Sequence, residues 1–161
     1  ILSTNIDDKS EVDNLCNKIQ ELLPDTKRVR LIRDSVNPFF DTMPSKTISL
    51  INLNSIKDFE KKIDKKIEFQ RFRANFYVDG IEAWEERKWV NKIIKINEVS
   101  FKVEKNIPRC VAINLKPKSD DNSLNLLQSL KESYNHFDMG IYLTALKDGK
   151  INVGNEVQLS Q

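Results

Sequence analysis

The fold of this chain is decided by one stretch, QRFRANFYVDG at residues 70–80. On an extended backbone, alternate side chains leave the same face of a strand. Arg71 and Arg73 would therefore point to one side, and Phe72 would anchor the other. Asn75 falls on the side of the two arginines and adds an amide donor and acceptor. The stretch predicts a strand whose entrance carries fixed donors for a phosphate group.

A plainer interpretation of the same arginines stays open. The acids Glu68, Asp79 and Glu82 lie close to Arg71 and Arg73 in the sequence. Guanidinium groups form bidentate pairs with carboxylates, so both arginines would then serve ordinary ion pairs at the protein surface.

The second informative feature is the thiol of Cys110, in Pro108-Arg109-Cys110. Arg109 and Lys105 bring positive charge near Cys110 in the sequence, and neighbouring cations favour a thiolate. A thiolate can act as a nucleophile, a redox group or a ligand for a sulfur-preferring metal. The alternative is that Cys110 only packs at the start of a predicted strand over residues 109–115. The other thiol, Cys16, falls in the apolar stripe of a predicted helix, so we predict a core residue there.

The length of 161 residues is enough for one globular domain with a hydrophobic core. The formal net charge of +2 gives no reason to expect nucleic acid or a membrane surface as a partner. The two cysteines lack the spacing of a disulfide framework or a zinc site, which favours a reducing compartment such as the cytoplasm. The single histidine, His136, argues against a histidine-based triad and is interpreted as a surface loop residue, with a polar contact to substrate as the alternative.

Hydrophobic periodicity predicts a mainly β chain. Helices are predicted after caps at Ser10, at Asn54 or Ser55, and at Ser123, with Pro24 ending the first. Strands are predicted near residues 29–31, 47–51, 76–78, 94–96, 99–103, 109–115, 140–146, 151–153 and 157–159, with a hairpin turn at residues 97–98 and a loop at 34–46. Short strands with few helices predict an α+β fold, mainly β, built on a β-barrel with about three inserted or flanking helices.

Several of these pieces, in this order and spacing, resemble the MOSC family, the domain named after the C-terminal part of molybdenum cofactor sulfurase. The chain is similar to the C-terminal domain of the mitochondrial amidoxime-reducing component and to bacterial relatives. The resemblance covers roughly residues 48–159. The pieces that carry it are Ile48-Ser49-Leu50-Ile51-Asn52-Leu53-Asn54-Ser55, Arg71-Phe72-Arg73-Ala74-Asn75, Val78-Asp79-Gly80, Glu86 before Trp89, Arg109-Cys110, Gly140-Ile141-Tyr142 and Val153-Gly154-Asn155-Glu156-Val157.

The resemblance implies a MOSC-type β-barrel domain at residues 47–161 that binds a pyranopterin molybdenum cofactor. It also implies that residues 1–46, a helix and strand segment, form the connection to a missing N-terminal β-barrel module. Cys110 matches the position whose thiolate binds molybdenum or carries sulfur, and Arg73 and Asn75 match positions that contact the cofactor's phosphate and pterin. Weaker candidates for cofactor binding are Arg71, Asn52, Ser55 and Arg109. Pyridoxal phosphate binding is associated with the family as a whole only.

The chain also departs from the family pattern. Many members have a second cysteine three residues before the ligand, where this chain has Ile107, so a vicinal dithiol mechanism is excluded. After the following strand, an acidic residue with a Thr-Gly turn is replaced by Lys116-Pro117-Lys118-Ser119. Some bacterial relatives work with one cysteine, so the expectation of metal binding by Cys110 is kept.

Three functions follow from the resemblance. The first is an oxidoreductase that acts on small nitrogen- or sulfur-containing molecules, such as N-hydroxylated compounds, with electrons supplied by a donor protein. The second is a non-catalytic carrier that holds sulfur as a Cys110 persulfide or hands the cofactor to another enzyme. The third is a purely structural domain, which would be indicated by a Cys110 buried away from every pocket.

Overall fold

The computed structural model describes residues 3–33 and 47–160. The chain divides into two compact units, residues 1–41 and 42–161. The predicted loop at residues 34–46 lies outside the described residues. The predicted role of residues 1–46 as a connection stays a prediction.

The first unit contains helix α1, Lys9–Leu22. The prediction that Ser10 caps this helix is wrong, because the cap is Asp8. Oδ1 of Asp8 accepts hydrogen bonds from the backbone N–H groups of Ser10 at 2.8 Å and Glu11 at 3.2 Å. A carboxylate suits this position because it satisfies free N–H groups and carries negative charge at the positive end of the helix dipole.

Two further predictions for this unit are wrong. No strand forms at Val29, whose backbone N–H donates to Oε1 of Gln20 on α1 at 2.8 Å and not to a neighbouring strand. Leu31 is 51% exposed, so the expected half-buried alternation is absent. Cys16 is half-buried and not a core residue, and no described residue of α1 is fully buried.

The second unit consists of short strands with two helices and three single-turn 3₁₀ helices among the described residues. The strands are β1 Ile48–Asn52, β2 Phe76–Val78, β3 Ile93–Ile96, β4 Val99–Pro108, β5 Asp138–Ala145 and β6 Val157–Leu159. The helices are α2 Leu53–Ile63 and α3 Leu126–Tyr134, and the 3₁₀ helices are Phe69–Phe72, Glu85–Trp89 and Val111–Asn114. The described residues of the whole chain thus contain three α-helices, which confirms the predicted number.

These strands form one curled sheet, a half-barrel, in the order β2-β1-β5-β4-β3-β6. The β1–β2 pair is parallel, and the other neighbouring pairs are antiparallel. Strands β3 and β4 form the predicted hairpin, with Ile96 opposite Val99. The α+β, mainly β fold class is therefore confirmed.

Hydrophobic side chains cover both faces of the sheet. Leu50 and Ile51 are neighbours on β1 and are both fully buried, yet each belongs to a different cluster. Alternation along the strand explains this, because successive side chains point to opposite faces. One cluster includes Phe101 and Ile141, and the other lies under α2 and α3. Burying each large side chain contributes roughly 1.5–3 kcal/mol, so both faces hold the sheet in place.

Four local predictions for this unit are wrong. Residues 69–72 form a 3₁₀ helix, so the strand expected at Arg71 begins only at Phe76. Strand β4 ends at Pro108, so residues 109–115 do not form a strand. Residues 151–153 form no strand either. The caps of α2 and α3 are Asn52 and Asn125, whose side-chain oxygens accept backbone N–H groups, and not Asn54, Ser55 or Ser123.

Candidate functional site

A half-buried arginine, Arg109, organises the surroundings of Cys110. The Arg109 guanidinium donates from Nε to the backbone carbonyl of Met139 at 2.8 Å and from Nη1 to that of Phe72 at 2.9 Å. Its Nη2 also donates to the Met139 carbonyl, and the group lies over the Phe72 ring at 5.7 Å. Burial lowers the pKa of Arg109 to about 10, so the side chain stays charged at neutral pH. Arg109 therefore joins three separate chain segments beside Cys110.

A second arginine, the fully buried Arg71, also links the turn at residues 71–72 to the segment that contains Cys110. Arg71 donates from Nε to Glu68 Oε2 at 2.7 Å and from Nη1 to the backbone carbonyl of Asn114 at 2.6 Å. Thus the turn at residues 71–72 is fastened to both ends of the segment 109–114. Cys110 lies within that segment, so its backbone is held by two cross-links.

The hydrogen bond to Arg71 determines the ionisation of Glu68. Its pKa is lowered to about 2, first by this hydrogen bond, with a smaller contribution from Lys116. Arg71 is only 2% exposed, so its guanidinium is not presented to a ligand from the surface. The plain interpretation of an ion pair to Glu68 is confirmed for Arg71.

Cys110 is exposed, and its backbone is extended with φ −115° and ψ 177°. The residue before it fixes this position, because the Arg109 N–H donates to the Phe137 carbonyl at 2.9 Å and Pro108 pairs with Asp138. The alternative in which Cys110 packs as a buried strand residue is therefore wrong. The thiol is available to a reagent, a metal or a cofactor.

Arg73 follows the turn immediately and has the opposite character to Arg71. Its backbone is left-handed, with φ 49° and ψ 42°, and it ends the 3₁₀ helix. The side chain is exposed, and it forms no hydrogen bond or ion pair with any residue that the structure describes. Because this turn reverses the backbone, Arg71 and Arg73 do not share a strand face as predicted. Within residues 3–33 and 47–160, the donors of Arg73 thus have no partner and could serve a ligand.

The side-chain amide of Asn75 is held in place through its oxygen atom. Its Oδ1 accepts from the backbone N–H of Ser49 at 2.9 Å and from the Ser49 hydroxyl at 2.8 Å. The Asn75 N–H donates back to Ser49 Oγ at 3.0 Å. Nδ2 of Asn75 has no acceptor among the described residues, so this oriented donor is available. We refer to Arg73, Asn75, Arg109 and Cys110 as the Cys110 site.

Gly140 allows the sheet to approach this site closely. It has φ +83°, and a Cβ built there would collide with the Leu50 carbonyl and lie 2.6 Å from Cγ1 of Ile51. The same Cβ would lie 3.4 Å from Nη2 of Arg109. Any larger residue would therefore displace the buried guanidinium or the neighbouring strand.

Asn52 and Ser55 lie in a different environment. Both are fully buried and donate to Glu86, from Asn52 Nδ2 at 3.0 Å and from Ser55 Oγ at 2.8 Å. Asn52 also donates to the Glu82 carbonyl at 2.7 Å, and Ser55 Oγ accepts the Trp84 N–H at 2.8 Å. These three residues, Asn52, Ser55 and Glu86, form the Glu86 network. The structure does not bring Asn52 or Ser55 to the surface where a cofactor could contact them.

Glu86 is a residue whose role the sequence reasoning missed. Its side chain is completely buried, and desolvation raises the pKa of the carboxyl, while the Ser55 and Asn52 hydrogen bonds act in the opposite direction. The signal was the sequence Glu85-Glu86-Arg87-Lys88-Trp89, where only every third or fourth position can face inward in a helical turn. Glu86 and Trp89 are the two buried residues there.

His136 is half-buried beside other aromatic residues. Its ring stacks on Tyr134 at 5.8 Å, and its Nδ1 accepts the Asp138 N–H at 3.1 Å. Burial and the nearby Arg87 lower the pKa of His136. It is therefore neutral at pH 7 and has a structural hydrogen bond.

Cys110 is the single thiol near these groups, and a bare metal ion would need more ligands. Within residues 3–33 and 47–160, no group of three or more His, Cys, Asp or Glu side chains could hold a metal ion. Over the same residues, no helix combines the length and the apolar character required to span a membrane. A metal at Cys110 would thus have to bring further ligands with it.

Comparisons with known proteins identify the family of this domain. The family model of the MOSC domain matches residues 39–158. The chain belongs to the MOSC domain family. This match includes every residue of the Cys110 site and the elements of the second unit up to residue 158, within strand β6.

Two curated relatives carry the same name. The chain is 30% identical over 122 residues to mitochondrial amidoxime reducing component 2 of Rattus norvegicus, covering 68% of this chain and 36% of that protein. It is 29% identical over 117 residues to the protein of that name in Homo sapiens, covering 64% of this chain and 34% of the human protein. The chain thus spans about a third of the length of the curated relatives it matches.

A solved structure shows the same fold. The crystal structure of YiiM from Geobacillus stearothermophilus matches with a TM-score of 0.53 at 15% sequence identity. The match covers 73% of this chain and 58% of that one.

Proposed function

We propose that this MOSC domain binds a pyranopterin molybdenum cofactor at the Cys110 site and belongs to an oxidoreductase that acts on small N-hydroxylated or related molecules. The observation that carries the proposal is the exposed Cys110, in a backbone segment that hydrogen bonds of Arg71 and Arg109 hold to the turn before Arg73. Arg73 and Asn75 add donors that have no partner among the described residues.

The residues present fit such a cofactor. A single thiolate supplies one ligand, and the dithiolene sulfurs of a pyranopterin would supply others, which suits a site with one protein ligand. The cofactor also carries a phosphate, for which the Arg73 guanidinium is a bidentate donor. Nδ2 of Asn75 is oriented by Ser49 and can donate to a phosphate or pterin oxygen.

The protein's contribution is to bind the cofactor, to orient it and to place positive charge beside it. When bound, the cofactor supplies the exchange of oxygen and electrons with the substrate. Arg109 keeps a positive charge one residue from Cys110, and that charge would attract an anionic cofactor. Arg71 and Arg109 hold the backbone on both sides of Cys110 to the turn at residues 71–72, which limits how far Cys110 and Arg73 can move apart.

The reaction sets a requirement for a partner. Reducing an N-hydroxylated group breaks one N–O bond, takes up two electrons and two protons, and releases water. The proposal therefore includes a donor protein that delivers the electrons, and a small molecule as substrate.

The proposal is tested by turnover of an aromatic amidoxime with a chemical electron donor. The protein is purified from cells that make the cofactor, and Cys110→Ser is expected to lower the rate about a hundredfold or more, because it removes the metal's protein ligand. Cys16→Ser is the matched control and should leave the rate unchanged, since Cys16 lies on α1. Equal rates for Cys110→Ser and the wild type would refute the proposal.

The carrier is a second candidate, and the exposure of Cys110 favours it. The exposed thiolate of Cys110 can attack the outer sulfur of a persulfide on a donor protein. The sulfur–sulfur bond of that persulfide breaks, the donor's cysteine leaves as a thiolate, and Cys110 becomes the persulfide. A sulfur adduct on Cys110 in intact-protein mass spectrometry, without turnover of any reducible substrate, would favour the carrier.

A further inference from the structure

A row of polar side chains crosses the neighbouring strands β1, β5 and β4 and continues to the residue just before β2. Ser49 on β1 lies opposite Tyr142 on β5, and Tyr142 lies opposite Lys105 on β4. Residues directly opposite each other share a face of the sheet. Asn75, just before β2, joins the row through its hydrogen bonds to Ser49. We refer to Asn75, Ser49, Tyr142 and Lys105 as the donor row.

Three members of the donor row keep donor atoms available. Nδ2 of Asn75, the hydroxyl of Tyr142 and Nζ of Lys105 have no hydrogen-bond partner or ion pair among the described residues. Nζ of Lys105 lies 5.9 Å from the centre of the Tyr142 ring, so the ammonium and the phenol are presented together.

The nearby acid does not neutralise Lys105. Glu104, its neighbour on β4, pairs with Lys102 at 3.1 Å. Lys105 is exposed and Tyr142 is half-buried. The ammonium is therefore accessible from solvent, while the Tyr142 side chain is partly enclosed by the protein. An exposed ammonium beside a fixed hydroxyl is suited to an anion with several oxygens.

The donor row and Arg109 of the Cys110 site are linked through strand β5. Arg109 donates from Nε to the backbone carbonyl of Met139, which lies on β5 three residues before Tyr142. Cys110 lies five positions after Lys105, just beyond the end of β4, and an extended backbone spans about 16 Å over five positions. An elongated ligand could therefore reach from Cys110 to Lys105.

We propose that Lys105 and Tyr142 form an anion-binding subsite that holds the phosphate or carboxylate of a ligand whose other end reaches Cys110. This subsite extends the function proposed above and rests on it for the identity of the ligand. Two sources of the anion share this chemistry, the phosphate of the cofactor and an acidic group on the substrate.

Chemical footprinting of the full chain with inorganic pyrophosphate tests the subsite without any cofactor. Acylation of each lysine by an amine-reactive reagent is measured by peptide mass spectrometry, with and without pyrophosphate. Lys102 is the internal control on the same strand, because its partner is Glu104. We expect pyrophosphate to slow the acylation of Lys105 but not of Lys102. Equal effects on both lysines would overturn the proposal.

The variant Tyr142→Phe sharpens this test. It removes only the hydroxyl, and the pyrophosphate concentration that half-protects Lys105 should rise about tenfold, the usual effect of losing one hydrogen bond to a charged group. If protection of Lys105 is unchanged in this variant, Tyr142 is not part of the subsite. A folding defect would be detected by circular dichroism, and in that case Tyr142→Leu, which carries no hydrogen-bond donor on its side chain, replaces Tyr142→Phe.

Two further measurements identify the source of the anion. If the subsite binds the cofactor, Lys105→Gln loses pterin at lower salt than the wild type, detected as fluorescence of the released, oxidised pterin. If it binds substrate, pterin retention is unchanged, and Lys105→Gln raises KM about tenfold for a carboxylate-bearing amidoxime but not for a neutral one. No change in either measurement overturns the subsite. Protection of Lys105 in protein that never binds molybdenum would support the subsite and refute the proposed function.

Discussion

Strand β1 contributes to two polar regions that use their hydrogen-bonding groups differently. In the Glu86 network, Asn52 and Ser55 direct their donors to one buried carboxylate. In the Cys110 site, Ser49 orients Asn75 but leaves Nδ2 of Asn75 and the Arg73 guanidinium without a described partner. Groups that are satisfied inside the protein stabilise the fold, and groups held in place but left unpaired can bind a ligand.

The arginines repeat the same contrast two residues apart. Arg71 is buried and bound to Glu68 and Asn114, whereas Arg73 is exposed. A left-handed residue at position 73 turns the backbone between them. The comparison predicts that changes in the Glu86 network and at Arg71 alter stability, and that changes at Arg73 and Cys110 alter binding.

The largest effect on stability is expected from Glu86→Ala. This variant opens a cavity and leaves the buried donors of Asn52 and Ser55 without their acceptor, which should lower the free energy of unfolding by about 3–5 kcal/mol. Urea denaturation measures the change. Glu85→Ala is the control, because Glu85 forms an ion pair with the exposed Lys88, and its loss should cost about 0.5 kcal/mol or less. Similar losses in the two variants would contradict the role given to the Glu86 network.

The two arginines offer a matched pair of variants. Arg71→Gln should lower the free energy of unfolding by about 2–3 kcal/mol, since it breaks the hydrogen bonds to Glu68 and to the Asn114 carbonyl. Arg73→Gln should change it by about 0.5 kcal/mol or less and should instead weaken cofactor retention. The comparison fails if Arg73→Gln is the more destabilising of the two in urea denaturation.

The pH dependence of stability gives a smaller effect. Burial raises the pKa of Glu86 in the folded state above its usual value of 4.5. Its contribution to stability is therefore fully present below pH 4.5 and is lost as the pH rises through the folded pKa. The slope from this one group is about 1.4 kcal/mol per pH unit at most.

Glu86→Gln removes this titration and separates it from that of Glu68. The lowered pKa of Glu68, about 2, has the opposite consequence, a contribution present above pH 4.5 and lost toward pH 2. Unfolding by urea at several pH values should show less loss of stability with rising pH in Glu86→Gln than in the wild type. Parallel curves for the two proteins above pH 4.5 would show that Glu86 does not titrate as described.

The smallest effect is expected from Ser49→Ala. It removes the hydroxyl that bonds to Asn75 but leaves the backbone bond from the Ser49 N–H to Asn75 Oδ1, so the loss should be about 1 kcal/mol. Thermal unfolding measures this change, and Ser100→Ala on β4 is a control for loss of a strand hydroxyl. A Ser49→Ala protein as stable as the wild type would mean that Asn75 is oriented by the backbone alone.

Patterns local to a strand could be read from the sequence. The hairpin of β3 and β4 follows from alternating apolar residues on either side of Asn97-Glu98, and β2 from Phe76 and Val78. The α+β class and the number of helices follow from the same periodicities. The family resemblance, carried by motifs such as Arg71 to Asn75 and Arg109-Cys110, is confirmed by the match to the MOSC domain model.

Features that depend on distant partners could not be read in this way. Arg71 and Arg73 alternate as they would in a strand, but the carbonyl of Asn114, 43 positions away, holds Arg71 in a 3₁₀ turn. Residues 109–115 have strand-forming residues, yet the strand stops at Pro108 and a 3₁₀ turn follows Cys110. Asn52 and Ser55 matched the family motif, and only the position of the buried Glu86 shows what they contact.

The most direct test of the central claim is the molybdenum content of the protein purified from cells that make the cofactor. The wild type, Cys110→Ser and Glu85→Ala are measured together by elemental analysis, with thermal unfolding to confirm that each is folded. The account predicts about one molybdenum atom per chain in the wild type and Glu85→Ala, and loss of the metal from a folded Cys110→Ser protein. A wild type without molybdenum, or a Cys110→Ser variant that retains it fully, would contradict the account.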